Sequence, residues 1–188
     1  MKLENDLCTI ETVLTDVFPD AEAENSDKYN FVYNPLDYEK SDYYKVLVIN
    51  VDIHSRSYSI ALVGDGNSYD EDCAVLEGTI LTVLQGWDVI QINIENGQIV
   101  KRISFDSMGC NFGIFALNGG YLIYGETDIT MLDHDLCRMW SFSGYDIFVS
   151  TTDKTPFEIK SDRICLYDFE DNYYEIDFNG KVLVGPRK

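Results

Sequence analysis

The sequence predicts a mainly β protein: a stack of about three to four antiparallel repeat units, with one short N-terminal helix. Three observations carry this. The composition favours pleated strands, the apolar period changes from helical to two near Tyr29, and a strand-turn-strand unit recurs along the chain. The 188 residues are 45% hydrophobic and 13% aromatic, enough to offset the entropy of ordering one domain. The 13 Tyr and 10 Phe, with many Ile and Val, suit a half-buried pleated surface.

The helix is expected over residues 1–18. There Leu3, Leu7, Ile10, Val13, Leu14, Val17 and Phe18 recur at steps of three and four, which places them on one helical face, and Pro19 stops the run. Residues 19–28 then read as an acidic, exposed connection, because DAEAENSDK lacks aromatic and β-branched residues. Residues 29–188 read as β repeats. YYKVLVINVDI (Tyr43 to Ile53) and SYSIALVG (Ser57 to Gly64), separated by His54, Ser55 and Arg56, form a hairpin signal. A polar break, GDGNSYDED (Gly64 to Asp72), follows.

The repeat is carried by WDVIQINIENGQIVKRI (Trp87 to Ile103), TDITMLDHDLCRMWSF (Thr127 to Phe142) and NYYEIDFNGKVLV (Asn172 to Val184). In each, an alternating strand reaches a polar residue (Asn93, Asp133, Asp177), turns, and returns from Gln98, Arg138 or Lys181. Asn93 to Asp133 is 40 residues and Asp133 to Asp177 is 44. A further strand precedes each hairpin, in GTILTVLQG (Gly78 to Gly86), GGYLIYGE (Gly119 to Glu126) and DRICLYDFED (Asp162 to Asp171). A fourth copy is expected at VLVINVDIHSRSYSI (Val46 to Ile60). A period near 40 residues signals stacked supersecondary units.

The Leu132-Asp133 pair, the run Cys137-Arg138-Met139-Trp140, and Ile176-Asp177 with Asn179-Gly180-Lys181 resemble blades of quinoprotein-like β-propellers. The resemblance covers roughly the last 100 residues and implies no cofactor. It implies a propeller-like stack. Three clear units fall short of the four that a closed propeller needs, which leaves a sandwich-like stack of two sheets as the competing arrangement.

Charge bounds the partners. Against 33 acidic residues stand 14 basic ones, a net of −19. Such a field repels nucleic acid and anionic membrane surfaces and attracts a basic protein partner. It also serves solubility. Five cysteines without a C-x-x-C pair read as reduced thiols of a cytoplasmic protein, and neither an export signal nor a membrane-spanning run is legible.

Motifs for chemistry are missing. In DGNSYDED, a calcium loop would need a ligand at Tyr69 and a glycine at Asp70. His54 and His134 have no companion ligand at zinc spacing. No nucleophile elbow, phosphate loop or dinucleotide fingerprint occurs. Asp168, Glu170 and Asp171 do not stand out from chance acid pairs. No catalytic residue, metal site or cofactor is therefore assigned. In FSGYDIFV, Tyr145 and Asp146 follow a glycine near Trp140 and suit an interface, while Trp140 and Phe142 alternate as core residues do.

The overall form, short, acidic and free of catalytic motifs, resembles bacterial toxin-immunity proteins. That resemblance implies a non-enzymatic inhibitor that occludes a basic toxin, for example a nuclease, through Asp65, Asp70, Glu71, Asp72, Tyr145, Asp146, Glu170 and Asp171. A propeller-like scaffold for a protein or peptide is the alternative, and a hydrolase with a carboxylate-lined cleft the third reading.

Overall fold

The computed structural model describes residues 1–19, 28–65, 71–105 and 109–186. Among these the regular elements are strands, and no helix occurs. They fall into two compact units, residues 1–106 and 107–188.

In the first unit, one sheet has the order β1 (Lys2–Glu4), β2 (Cys8–Thr15), β4 (Tyr44–Ile53), β5 (Arg56–Asp65) and β3 (Phe31–Tyr33), with β3 parallel to β5 and the other pairs antiparallel. The other sheet is a meander of β6 (Ala74–Glu77), β7 (Ile80–Gln85), β8 (Asp88–Asn93) and β9 (Gln98–Ser104). The second unit holds two further meanders: β10 (Asn111–Leu117), β11 (Gly120–Gly125), β12 (Asp128–Leu132) and β13 (Arg138–Ser143), then β14 (Phe157–Ile159), β15 (Arg163–Tyr167), β16 (Tyr173–Asp177) and β17 (Val182–Val184). The expected repeat units are thus four-stranded. Of their first strands, β6 and β14 escape the alternation test because four and three residues carry little pattern.

The expected helix over residues 1–18 is replaced by β1 and β2. Cys8, Ile10 and Thr12 are buried at a period of two, whereas Leu7, Val13 and Val17, which a helix would have turned inward, are exposed. Every residue from Cys8 to Thr15 pairs with β4. The β-branched Thr9, Ile10, Thr12, Val13 and Thr15 disfavour a helix, and eight ladder positions on β4 outweigh a three-four spacing that arises by coincidence. Of the acidic connection, residues 20–27 lie outside the described residues.

The three hairpins share local geometry. The Asp133 carboxylate accepts the Cys137 N–H at 2.7 Å, and that of Asp177 accepts the N–H groups of Asn179 at 2.9 Å and Lys181 at 2.8 Å. Leu136 N–H donates to Asp133 O and Gly180 N–H to Asp177 O, with Leu136 and Gly180 both at positive φ. Asn93 makes the one-residue-longer form: its side chain accepts Glu95 N–H, and the positive φ falls on Gly97. Just ahead of each polar residue the register shifts, between Gln91 and Ile92, Met131 and Leu132, and Glu175 and Ile176. The residues this leaves over on the returning strands are Val100, Met139 and Leu183, all exposed.

Each unit has its own core. In the first, Ile10, Ile49, Ile60, Leu62, Leu81 and Ile92 interdigitate between its two sheets. In the second, Leu122, Ile129, Phe148, Ile164, Leu166 and Ile176 do so. An aromatic from one sheet also caps the turn of the next. Trp140 donates its indole N–H to Phe178 O at 3.1 Å, and Tyr33 donates its hydroxyl to Gly97 O at 2.6 Å. Trp140 and Phe142 both pack against the second core.

Candidate functional site

The loops after β13 and between β15 and β16 converge on one buried carboxylate. Asp168 has no exposed surface. Its Oδ1 accepts the N–H groups of Glu170 at 3.1 Å and Asn172 at 2.9 Å, and its Oδ2 accepts the Asn172 amide at 3.0 Å and the Tyr174 hydroxyl at 2.6 Å. Asp146 adds a backbone N–H. Asp171 N–H donates to Asp168 O, and Asp171 takes a positive φ of 65°, so this is a further copy of the turn seen at Asp133 and Asp177. Burial alone would raise the Asp168 pKa, but the donors from Tyr174, Asn172 and Asp146 outweigh it and hold the carboxyl below its ordinary value.

The Tyr174 hydroxyl that serves Asp168 also accepts the Tyr145 N–H at 2.9 Å. Burial first, and then the bond to Asp168, push its phenol up to about 12. Asp146 folds its carboxylate onto the Ile147 N–H at 2.8 Å. Phe148 is fully buried, its N–H donates to Glu126 O at 2.6 Å, and its O accepts the Tyr124 hydroxyl at 2.6 Å. Phe169 N–H donates to Ile147 O at 2.8 Å and ties the two loops together. These bonds fix the backbone from which the outward side chains of both loops project.

Outward from this frame stand Tyr145, 61% exposed, and Phe169, 48% exposed. Glu170 and Asp171 are exposed beside them, and Asp146 is half-buried. Asp171 meets Lys154 at 3.3 Å and Thr152 Oγ1 at 3.3 Å. Tyr145 lines two depressions. One of about 210 Å³ includes Phe142, Tyr174, Val182 and Pro186, and a shallower one of about 390 Å³ includes Thr127, Asp128 and Asp146.

Four of the expected interface residues, Tyr145, Asp146, Glu170 and Asp171, therefore lie on two loops that Asp168, Tyr174 and the Phe169–Ile147 bond tie together. Asp65, Glu71 and Asp72 belong to the first unit: Asp65 ends β5 in a separate cleft, and Glu71 and Asp72 are exposed ahead of β6. Asp70 lies outside the described residues. Sequence reasoning missed Phe169, Tyr174 and the organising role of Asp168. The signal was present in Asp168-Phe169-Glu170-Asp171-Asn172, which has the spacing of the Asp177 turn. Among the described residues no group of three or more His, Cys, Asp or Glu is placed to hold a metal ion, and no helix is long and apolar enough to cross a membrane.

No sequence family matches the chain, and no curated protein matches it. Among solved structures it is similar to BamB from Moraxella catarrhalis, with a TM-score of 0.47 at 10% identity, covering 78% of this chain and 47% of that one. It is also similar to Hsv2 from Kluyvelomyces marxianus, with a TM-score of 0.46 at 9% identity over 73% and 46% of the two chains. The AfRom2 CNH domain gives a TM-score of 0.45 at 11% identity over 78% and 48%. The chain spans about half the length of each of these structures. No residue role or partner is carried over from them.

Proposed function

We propose that the chain is a binding protein whose loop surface in the second unit receives a partner protein with a basic face. The observation that carries this reading is Tyr145: a large aromatic, mostly exposed, on a backbone that the buried Asp168–Tyr174 pair holds fixed. Structure spent on immobilising an exposed tyrosine suits recognition, because Tyr offers wide contact area at small entropic cost. Phe169 extends the apolar centre, and Asp146, Glu170 and Asp171 supply an acidic rim that selects basic partners.

The narrower reading, an immunity-type inhibitor of a basic toxin such as a nuclease, adds the net charge of −19 to the same surface. The five free thiols suit a reducing, cytoplasmic setting. No catalytic step is assigned, since Asp168, the most enclosed acid of the site, is occupied by hydrogen bonds.

A photo-crosslinking amino acid at position 145 identifies the partner, and its affinity is then measured for the purified pair. Tyr145→Ala is expected to weaken binding by about 2 kcal/mol or more, as interface aromatics do. Equal affinity for Tyr145→Ala and the unaltered chain refutes the surface. Stoichiometric inhibition of a nuclease partner supports the immunity reading, and binding without inhibition supports a scaffold.

A further inference from the structure

Three Asn-Gly steps occur in the chain, Asn96-Gly97, Asn118-Gly119 and Asn179-Gly180, each in a turn between neighbouring strands. In this dipeptide the backbone nitrogen that follows the Asn reaches the side-chain amide with least hindrance, because glycine places no Cβ in the way. The three steps share that local chemistry, but the fold treats them differently. Two are held down. Gly97 N–H donates to Asn93 O at 2.8 Å, and Gly180 N–H to Asp177 O at 2.9 Å. Each of these glycines also lies against a ring: an added Cβ would sit 2.4 Å from Phe31 Cε2 at Gly97 and 2.6 Å from Trp140 Cδ2 at Gly180. The Asn96 side chain is engaged as well, its Oδ1 accepting the Gln98 N–H at 3.0 Å.

The third step is open. Asn118 and Gly119 make up the two-residue loop between β10 and β11, both are exposed, and nothing lies within 4 Å of a Cβ added at Gly119. Among the described residues, neither the Asn118 side chain nor the Gly119 N–H takes part in a hydrogen bond. The attacking nitrogen and the amide carbon it would attack therefore both stand in water at this one step. At Gly97 and Gly180 the proton on the nitrogen is bound to a carbonyl, and the turn must open before it is released.

We propose that Asn118 is a site of self-modification, converting to aspartate and isoaspartate in the folded chain ahead of Asn96 and Asn179. Base takes the Gly119 amide proton, and the nitrogen attacks Cγ of Asn118. The new N–Cγ bond forms as the Cγ–Nδ2 bond breaks, the departing nitrogen takes up a proton and leaves as ammonia, and a five-membered succinimide remains. Water then opens the ring. Cleavage at Cγ leaves an ordinary aspartate, whereas cleavage at the backbone carbonyl carbon routes the main chain through the side chain as isoaspartate. The net exchange is amide and water for carboxylate and ammonium, with no oxidant or reductant. Each conversion adds a negative charge, and isoaspartate also adds a carbon to the main chain between Leu117 and Gly120, which pair across the hairpin. None of this involves Asp168 or Tyr145, so the site is independent of the binding surface proposed above.

The test ages the full, unaltered chain in mildly alkaline buffer and follows each Asn-Gly peptide by mass spectrometry, with aspartyl and isoaspartyl forms separated by chromatography. In the folded chain Asn118 is expected to convert about tenfold or more faster than Asn96 and Asn179, the factor that opening a backbone hydrogen bond imposes on the other two. In guanidinium chloride, where the turns and their ring contacts are gone, the three rates should converge. Conversion of Asn96 or Asn179 as fast as that of Asn118 in the folded chain overturns the proposal. So does an Asn118 that stays intact in the folded chain while it converts in denaturant, and so does a lead for Asn118 that persists undiminished in denaturant, since the selectivity would then belong to the neighbouring residues and not to the fold.

Discussion

The Trp140 ring lies over Gly180: a Cβ added at Gly180 would sit 2.6 Å from the indole Cδ2. The same indole donates its N–H to Phe178 O. The tryptophan of one sheet thus clasps the turn of the next, and glycine is required twice over, by the close approach and by its φ of +79°.

Gly180→Ala should destabilise the second unit by more than the roughly 1–2 kcal/mol of a left-handed alanine, because a bulky ring must also move. Gly78 has a similar φ of +58° but nothing within 4 Å of an added Cβ, so Gly78→Ala isolates the backbone contribution. Urea denaturation of both variants measures the difference, and equal losses would remove the clasp from the account.

Removing the turn carboxylate should cost somewhat more at Asp177, which accepts two backbone N–H groups, than at Asp133, which accepts that of Cys137. Each Asp→Ala change frees backbone N–H groups at an exposed turn, worth about 0.5–1.5 kcal/mol. Asp168→Asn should cost more, about 2–3 kcal/mol, because its acceptors are charged and buried. Thermal melts rank the three, and Asp168 ranking lowest would contradict its role as organiser.

The pH dependence has two limbs. Asp168 titrates lower in the folded chain than in the unfolded one. Its contribution is therefore whole above the unfolded carboxyl value of about 3.9 and fades as pH falls through the folded value. Tyr174 and Tyr124 are both pushed up to about 12, Tyr124 by burial and Tyr174 by burial and then Asp168. A raised phenol stabilises below its unfolded value of about 10, and that stability is lost as pH rises to 12. Unfolding free energy should fall between pH 10 and 12, and the double change Tyr124→Phe with Tyr174→Phe should flatten this limb. An unchanged slope in the double variant would refute the assignment.

At the loop surface, Asp146→Lys and Glu170→Lys should mainly slow association with the crosslinked partner, with an effect that shrinks as salt rises, whereas Tyr145→Ala should mainly speed dissociation. Stopped-flow kinetics at several salt concentrations separate the two. An association rate indifferent to both salt and the charge reversals would leave the acidity a matter of solubility.

The hairpins were legible because their Asx residues and alternation are local: Asp133 and Asp177 announce a turn by what lies within five residues of them. The N-terminal strands were not. Leu3, Leu7, Ile10 and Leu14 fit a helical period, and only pairing with β4, some 40 residues away, decides otherwise. Tyr145 and Asp146 stood out beside their glycine. The frame beneath them did not, since Asp168 joins them through Tyr174, a contact across 29 residues.

The register shift before each Asx turn makes the hairpins change parity. Upstream and downstream of Val100, Met139 and Leu183, odd and even positions exchange their meaning, so an apolar side chain is spent at each crossing without entering the core. Insertion and substitution are then unequal risks. Trading these three residues for polar ones should leave the strands in frame, and so should deleting Met139, after which Trp140 still faces Met131 and Arg138 still faces Leu132; adding a further residue there would carry Trp140 to the wrong side of its sheet. A hairpin copied in this form would be freer to vary or lose the letter at the crossing than to add another.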